Sequence, residues 1–357
     1  MFHKTRQKFT VLFVALAATC LLVVPGCGDD SSSDTTEALS TTTVALATTT
    51  TVTPTTTVAP EPVEKPLIVV TTNILGDVVG KAVGDLFDVE TIMPPGADPH
   101  VFQASAKQVD RMMKADLLVV NGANFEEGLL DVIKGAESDG VKVFEAIDSV
   151  DPLEDNDKEE GHDDHDEEGH DDHHGHDHGG VDPHFFTDPG RMAQVVKQLS
   201  DFLVLNFPEI DEKDLVSNMT DYSKKLEDLD SEVMQTLSSI PTGSRVMVTN
   251  HEVFAYFAES YEFEILGTII PSSSTLSNTS AKDLVDLAEK MKAEGVPAVF
   301  VDASSSDALA EALAGEVDGV KVVSLFSESL GAENTAGSTY IDMVRTNSEL
   351  IASALTG

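Results

Sequence analysis

The chain has 357 residues and a formal net charge of −41 at pH 7, from 63 acidic and 22 basic side chains. A surface this acidic repels phosphate backbones, which argues against a nucleic-acid partner and suits a cationic ligand or simple solubility. Only two cysteines are present, Cys20 and Cys27. We expect no disulfide, because Cys20 would be removed with an N-terminal signal peptide and Cys27 would carry lipid.

The N-terminus combines a basic start with an apolar run over residues 9–24. The run is too short and wrongly flanked for a spanning helix, and is typical of a secretory signal. It ends at Gly26-Cys27, where a small residue precedes a cysteine, as in the lipobox of bacterial lipoproteins. We predict a lipoprotein signal peptide over 1–26 and lipidation at Cys27. An ordinary signal peptide with an unused thiol is the alternative.

Residues 27–65 consist almost entirely of Ser, Thr, Ala, Val, Pro and acidic residues. A segment of this composition cannot bury enough apolar surface to offset the entropy of ordering it. We predict a disordered tether that holds the rest of the chain away from the membrane. A glycosylated stalk is the alternative.

Short apolar runs rich in Val, Ile and Phe recur along the rest of the chain, each followed by a segment with helical spacing. This alternation is typical of parallel strands with crossover helices. It predicts an α/β fold with two lobes, residues 66–188 and 242–357, each with a four-stranded parallel sheet. The predicted strands are Leu67–Thr71, Val89–Met93, Leu117–Asn121, Val141–Phe144, Arg245–Thr249, Glu262–Thr268, Ala298–Asp302 and Lys321–Leu325.

The segment between the lobes, residues 189–241, is predicted to be helical over Pro189–Asn206 and again over Glu212–Ser239. In the second helix apolar residues recur at three- and four-residue steps. At 1.5 Å per residue such a helix spans ~40 Å. We predict that this one long rigid helix joins the two lobes.

An acidic, histidine-rich segment lies within the first lobe, and no apolar residue occurs between Leu153 and Val181. We predict a disordered, solvated loop over 151–181. Its histidines could form a weak auxiliary metal-binding loop: His162, His165, His170, His173, His174, His176 and His178.

Outside the signal peptide and this loop, the chain has three histidines, His100, His184 and His251. Taken singly, each is more often a hydrogen-bonded structural residue than a ligand. However, His100 and His251 follow predicted strands, and ligands bind beyond the carboxyl ends of such strands. His100 and His184 also share an Asp-Pro-His sequence, in which a carboxylate can orient the imidazole. We therefore predict that the three histidines bind one metal ion.

A fourth ligand is predicted at Asp302, where a buried strand ends in a carboxylate. A turn or helix-capping role is equally open, because serines follow at Ser304–Ser306. Three imidazoles and one carboxylate make a tetrahedral site that suits Zn²⁺ better than Mn²⁺.

Four stretches of the chain resemble the cluster A-I receptors, the zinc and manganese solute-binding proteins of ABC importers. They are Gly96–Ser105, Asp182–Pro189, His251–Phe257 and Tyr340–Asn347. The resemblance covers about residues 66–357. It implies two lobes joined by one rigid helix, with the metal between them.

The resemblance implies a lipid-anchored, extracytoplasmic receptor that captures Zn²⁺, or alternatively Mn²⁺, and delivers it to an ABC permease and its ATPase. His251 and the histidine-rich loop match the zinc-preferring pattern, whereas Ala303-Ser304-Ser305 departs from the proline-containing version beside the fourth ligand. We expect a monomer. An adhesin or a metal buffer without a transporter is the main alternative.

A zinc hydrolase is a weaker alternative, because three histidines and a carboxylate can also hold an activated water. The base would be Glu252, next to His251. The sequence contains no His-Glu-x-x-His helix, no nucleophile elbow and no phosphate-binding glycine loop. We therefore expect no enzymatic activity.

Overall fold

A computed structural model describes residues 65–154 and 180–356. The predicted signal peptide, Cys27, the tether up to residue 64 and the seven loop histidines lie outside the described residues. Among the residues that are described, no helix is both long and apolar enough to cross a membrane.

The first lobe is built on a parallel sheet with the strand order β2-β1-β3-β4. Its two central strands are short runs of Leu, Ile and Val that are buried on both faces, whereas the edge strands are partly exposed. The elements are β1 (Leu67–Val70), α1 (Asn73–Val83), β2 (Asp88–Thr91), α2 (Ala106–Met112), β3 (Leu117–Val120), α3 (Leu130–Ser138) and β4 (Lys142–Glu145).

Two helices follow, α4 (Pro189–Asn206) and α5 (Glu212–Leu237). Asp188 caps α4 by accepting hydrogen bonds from two backbone N–H groups, and Pro189 occupies the first helical position, where no N–H is needed. The apolar stripe of α5 is buried as its spacing predicted: Leu215, Met219, Tyr222, Leu226, Leu229, Val233 and Leu237.

Helix α5 contacts both lobes. Near its start, the Asn218 side chain donates a hydrogen bond to the carbonyl of Val83 in the first lobe. Near its end, Asp230 accepts a hydrogen bond from the Tyr261 hydroxyl in the second lobe at 2.7 Å. The predicted long helix between the lobes is confirmed, and its 26 residues correspond to ~39 Å.

The second lobe repeats the topology of the first, with the strand order β6-β5-β7-β8 and parallel pairing throughout. The elements of the second lobe are β5 (Val246–Thr249), α6 (Ala255–Tyr261), β6 (Glu264–Thr268), α7 (Ala281–Glu294), β7 (Ala298–Asp302), α8 (Ala308–Glu316), β8 (Lys321–Leu325) and α9 (Tyr340–Leu355). The predicted fold class is confirmed.

Several predicted strand and helix boundaries differ from the structure by one or two residues. Strand β6 starts two residues later than predicted, because Glu262 adopts a left-handed conformation (φ 59°) that ends α6. The structure describes both ends of the predicted disordered loop, residues 151–154 and 180–181. Beside these ends, Asp182 donates its backbone N–H to the carbonyl of Leu153. The Tyr256 hydroxyl of the second lobe accepts from the Leu153 N–H and donates to the Asp182 carbonyl.

Candidate metal centre

Four side chains from both lobes converge at one point: His100, His184, His251 and Glu328. His100 lies in the loop after β2, His184 lies between β4 and α4, His251 follows β5, and Glu328 follows β8. All four are at most 3% exposed. Their potential ligand atoms lie within 4.8 Å of one another.

The three imidazoles point the same ring nitrogen, Nε2, at one oxygen of Glu328. The distances to Oε1 are 3.0 Å for His100, 3.3 Å for His184 and 2.9 Å for His251. A metal with bonds of 2.0–2.1 Å holds tetrahedral neighbours about 3.3 Å apart. The three nitrogen–oxygen distances are therefore close to those in the coordination shell of a tetrahedral ion.

Carboxylates on the far side of two rings fix their orientation. Asp182 Oδ1 lies 2.8 Å from Nδ1 of His184, and Glu127 Oε1 lies 3.2 Å from Nδ1 of His100. An ionised carboxylate only accepts hydrogen bonds, so when these rings are neutral their proton lies on Nδ1. The Nε2 lone pairs of the neutral rings then face the Glu328 carboxylate.

Lone pairs facing a carboxylate repel it unless a proton or a cation lies between them. Nε2 of His184 is buried and forms no hydrogen bond among the described residues. Such an unsatisfied buried nitrogen costs free energy that a metal ion would recover. The arrangement therefore fits a divalent ion, with Asp182 and Glu127 as the partners that orient its ligands.

The pKa values in the cluster are shifted because carboxylates lie close to the imidazoles. Burial alone would lower the pKa of His100, but hydrogen bonds to Glu127 and Glu328 outweigh it and raise the pKa to about 10. Burial alone would raise the pKa of Glu328, but the surrounding histidines hold it well below its usual range. Without metal, a proton on His100 therefore offsets part of the charge of the buried carboxylate.

The two Asp-Pro-His sequences fold alike. In each, the aspartate accepts a hydrogen bond from the histidine backbone N–H two residues later, at 2.9 Å for both Asp98 and Asp182. Such a turn is typical of Asp, and the intervening proline restricts the backbone further. Only Asp182 also reaches the ring of its histidine.

The structure places Asp302 outside the cluster, which corrects the prediction that it lies at the fourth corner. Both of its oxygens are occupied by other donors. Oδ1 accepts from Ser304, and Oδ2 accepts from the Ser327 hydroxyl at 2.6 Å and from the Glu328 backbone N–H at 3.2 Å. Asp302 thus holds the turn that carries the fourth carboxylate.

Glu328 is not among the ligands predicted from the sequence, although the sequence contains a signal for it. Glu328 follows β8, just as His251 follows β5, so the same strand-end rule makes it a candidate alongside Asp302. The sequence favours Asp302 because it ends an apolar run that is typical of a buried strand.

Comparisons with known proteins show the family of the chain. A family model described as zinc-uptake complex component A, periplasmic (ZnuA), matches residues 68–354. The zinc-binding protein TroA of Treponema pallidum (strain Nichols) is 30% identical over 298 residues, which cover 82% of this chain and 89% of TroA. The manganese ABC transporter substrate-binding lipoprotein PsaA of Streptococcus anginosus is 25% identical over 300 residues, with 82% and 90% covered.

Solved structures share the fold. The periplasmic zinc binding protein TroA from Treponema pallidum superposes with a TM-score of 0.70 at 28% identity, covering 82% of this chain and 100% of that chain. A manganese-bound periplasmic metal binding protein from Candidatus Liberibacter asiaticus, an S38A mutant, has a TM-score of 0.69 at 20% identity. The second likeness concerns the fold alone.

Proposed function

Since the chain belongs to the periplasmic zinc-uptake complex component A family, we propose that it is an extracytoplasmic receptor that captures a divalent metal ion between its lobes and delivers it to an ABC permease. The observation that carries the proposal is the convergence of three Nε2 atoms on one buried oxygen of Glu328. Ligands from both lobes allow the ion to hold the lobes together and allow lobe separation to release it.

Zinc is the proposed cargo, and manganese is the alternative. Three imidazoles favour zinc, because the affinity of nitrogen sites for divalent ions rises from manganese toward zinc. A four-coordinate tetrahedral shell also suits zinc, whereas manganese favours six oxygen-rich ligands. PsaA, which carries manganese in its name, is nevertheless similar to this chain, so the metal itself needs measurement.

A receptor accounts for the site better than a hydrolase does. A catalytic zinc ion keeps a coordination position for water, whereas here four protein side chains surround the point where the ion would bind. His184 and His251 are 0% exposed, which leaves little access for a substrate.

The proposed partners are an ABC permease and its ATPase, with the receptor attached to the membrane through lipid on Cys27. Replacing Cys27 with alanine tests the anchor. The variant should be recovered in the soluble extracytoplasmic fraction, and a Cys27→Ala protein that still sediments with membranes would contradict lipidation there.

The function is tested by the metal content and transport activity of the receptor. The purified chain without the signal peptide should retain one zinc ion after dialysis with equimolar zinc and manganese, as measured by elemental analysis. Cells lacking the receptor should take up less radioactive zinc and recover with the wild-type gene. Retention of manganese would overturn the choice of zinc, and unchanged uptake would favour a buffer or adhesin.

A further inference from the structure

Glu127 contacts both the metal centre and the opposite lobe. Its Oε1 atom lies 3.2 Å from Nδ1 of His100 in its own lobe. The same oxygen accepts a hydrogen bond from the hydroxyl of Ser274, which lies after β6 in the second lobe. One carboxylate oxygen therefore joins a ligand imidazole to the lobe that must move away when the metal is released.

A second hydrogen bond between the lobes reaches the same histidine. The Thr275 hydroxyl donates to Asp98 Oδ2 at 2.8 Å, and Asp98 Oδ1 accepts the backbone N–H of His100 at 2.9 Å. Ser274 and Thr275, which are consecutive in the second lobe, thus donate to Glu127 and Asp98 respectively. Glu127 contacts the ring of His100, and Asp98 accepts its backbone N–H.

These contacts lie at a groove that leads to the metal centre. The groove has a volume of about 430 Å³, and His100, Glu127 and Ser274 are among the residues that line it. The other three members of the cluster do not line this groove. A change at the Glu127–Ser274 contact would therefore alter access to the cluster from the side of His100.

The backbone around Glu127 is held in place independently of this contact. The preceding Glu126 is buried and accepts a hydrogen bond from the Thr71 hydroxyl at 2.6 Å. The following Gly128 packs so closely that an added Cβ atom would lie 2.1 Å from the backbone oxygen of Phe102. The backbone at Glu127 is thus fixed by the fold, so removal of the side chain should leave the backbone largely unchanged.

We propose that Glu127 is a positioning residue for His100, and that its hydrogen bond from Ser274 makes ligand positioning depend on the closed arrangement of the lobes. The inference rests on the proposed function, because it concerns how the same site retains its ion. When the lobes separate, the Ser274 contact breaks and His100 loses part of its orientation. The pair therefore slows metal release while the lobes are closed.

The test is zinc dissociation into excess chelator, followed by stopped flow, for variants of the full folded receptor. Glu127→Ala should release zinc about 10-fold faster or more, as expected for loss of a carboxylate behind a ligand histidine. Glu127→Gln should restore part of the retention, because an amide oxygen can still accept from Nδ1–H. Glu137→Ala and Ser138→Ala, at exposed positions of α3, serve as controls matched in residue type and should behave like wild type.

A double-mutant cycle separates coupling from a purely structural effect. Ser274→Ala should speed release several-fold in the wild-type background but less than twofold in the Glu127→Ala background. Equal factors in both backgrounds would overturn the coupling, and wild-type release from Glu127→Ala would overturn the positioning role. If the wild type itself binds no zinc, the proposed function fails instead.

Discussion

Asp302 accepts the backbone N–H of Glu328 at 3.2 Å, so the carboxylate expected to bind metal instead holds the turn that presents another carboxylate. Its second oxygen is used by Ser304. Asp302→Asn should therefore weaken zinc binding about 10- to 100-fold, as is typical for residues behind a metal ligand. The reason is that the NH2 group of asparagine would replace one accepting oxygen of Asp302 and would face an N–H or O–H donor.

Glu328→Ala should weaken zinc binding more than Asp302→Asn does, because it removes the proposed ligand itself. Competition with a chromogenic chelator measures both variants on one scale. Unaltered affinity in Glu328→Ala, together with a severe loss in Asp302→Asn, would restore the original assignment of Asp302 as the ligand.

The two groups of histidines should differ in affinity. His100→Ala, His184→Ala and His251→Ala should each weaken the tight site about 10-fold or more, because the folded lobes hold these ligands in place before the metal arrives. Deletion of Glu159–Gly180 should leave the tight site unchanged and remove only weaker zinc equivalents. Isothermal titration of all four variants measures both effects.

The deletion is compatible with the fold. Glu154 and Val181 form an antiparallel bridge, and the variant leaves four residues between them, a length that a hairpin loop accommodates. If the deletion abolished the tight site while His251→Ala left it intact, the loop itself would be the receptor.

Zinc affinity should rise with pH well above the ordinary histidine range. The pKa of His100 is raised to about 10 without metal, so at neutral pH the ion must displace a proton from this ring. The apparent Kd should fall about 10-fold per pH unit for each proton displaced between pH 6 and 9. Calorimetry in buffers of different ionisation enthalpy counts the protons released, and a flat profile would contradict the site.

The raised pKa of His100 makes the metal-free fold less stable as pH rises, whereas zinc affinity rises with pH. A pKa that is higher in the folded state contributes stability below the unfolded value of ~6.5, and this contribution is lost as pH rises toward 10. The thermal midpoints of the metal-free and zinc-loaded proteins should therefore diverge between pH 7 and 9. Parallel midpoints would show that His100 carries no extra proton.

Asn73 should couple the first lobe to the turn that carries Glu328. Its side chain accepts the Leu330 N–H at 2.7 Å and donates to the Ser329 hydroxyl at 2.8 Å. Asn73→Ala leaves a buried donor unsatisfied, which costs roughly 1–3 kcal/mol of folding stability. Thermal unfolding and zinc competition should both detect the change, whereas unchanged values would leave Asn73 without this role.

The sequence alone was sufficient to predict the two lobes. Alternating apolar runs and helical spacings identify strands and helices because burial imposes those periods locally, and β7, β8 and α4 match their predicted bounds. The three cluster histidines were also identifiable, because so few histidines remain outside the signal peptide and the acidic loop.

Only the tertiary structure distinguished Asp302 from Glu328. Both carboxylates lie at or just after a strand of the same sheet, and local sequence does not show which one meets the histidines of the other lobe. That choice depends on hydrogen bonds between distant segments, such as those from the turn at Ser327 to Asp302. The contact of Glu127 with Ser274, 147 residues away, has no local sequence signal for the same reason.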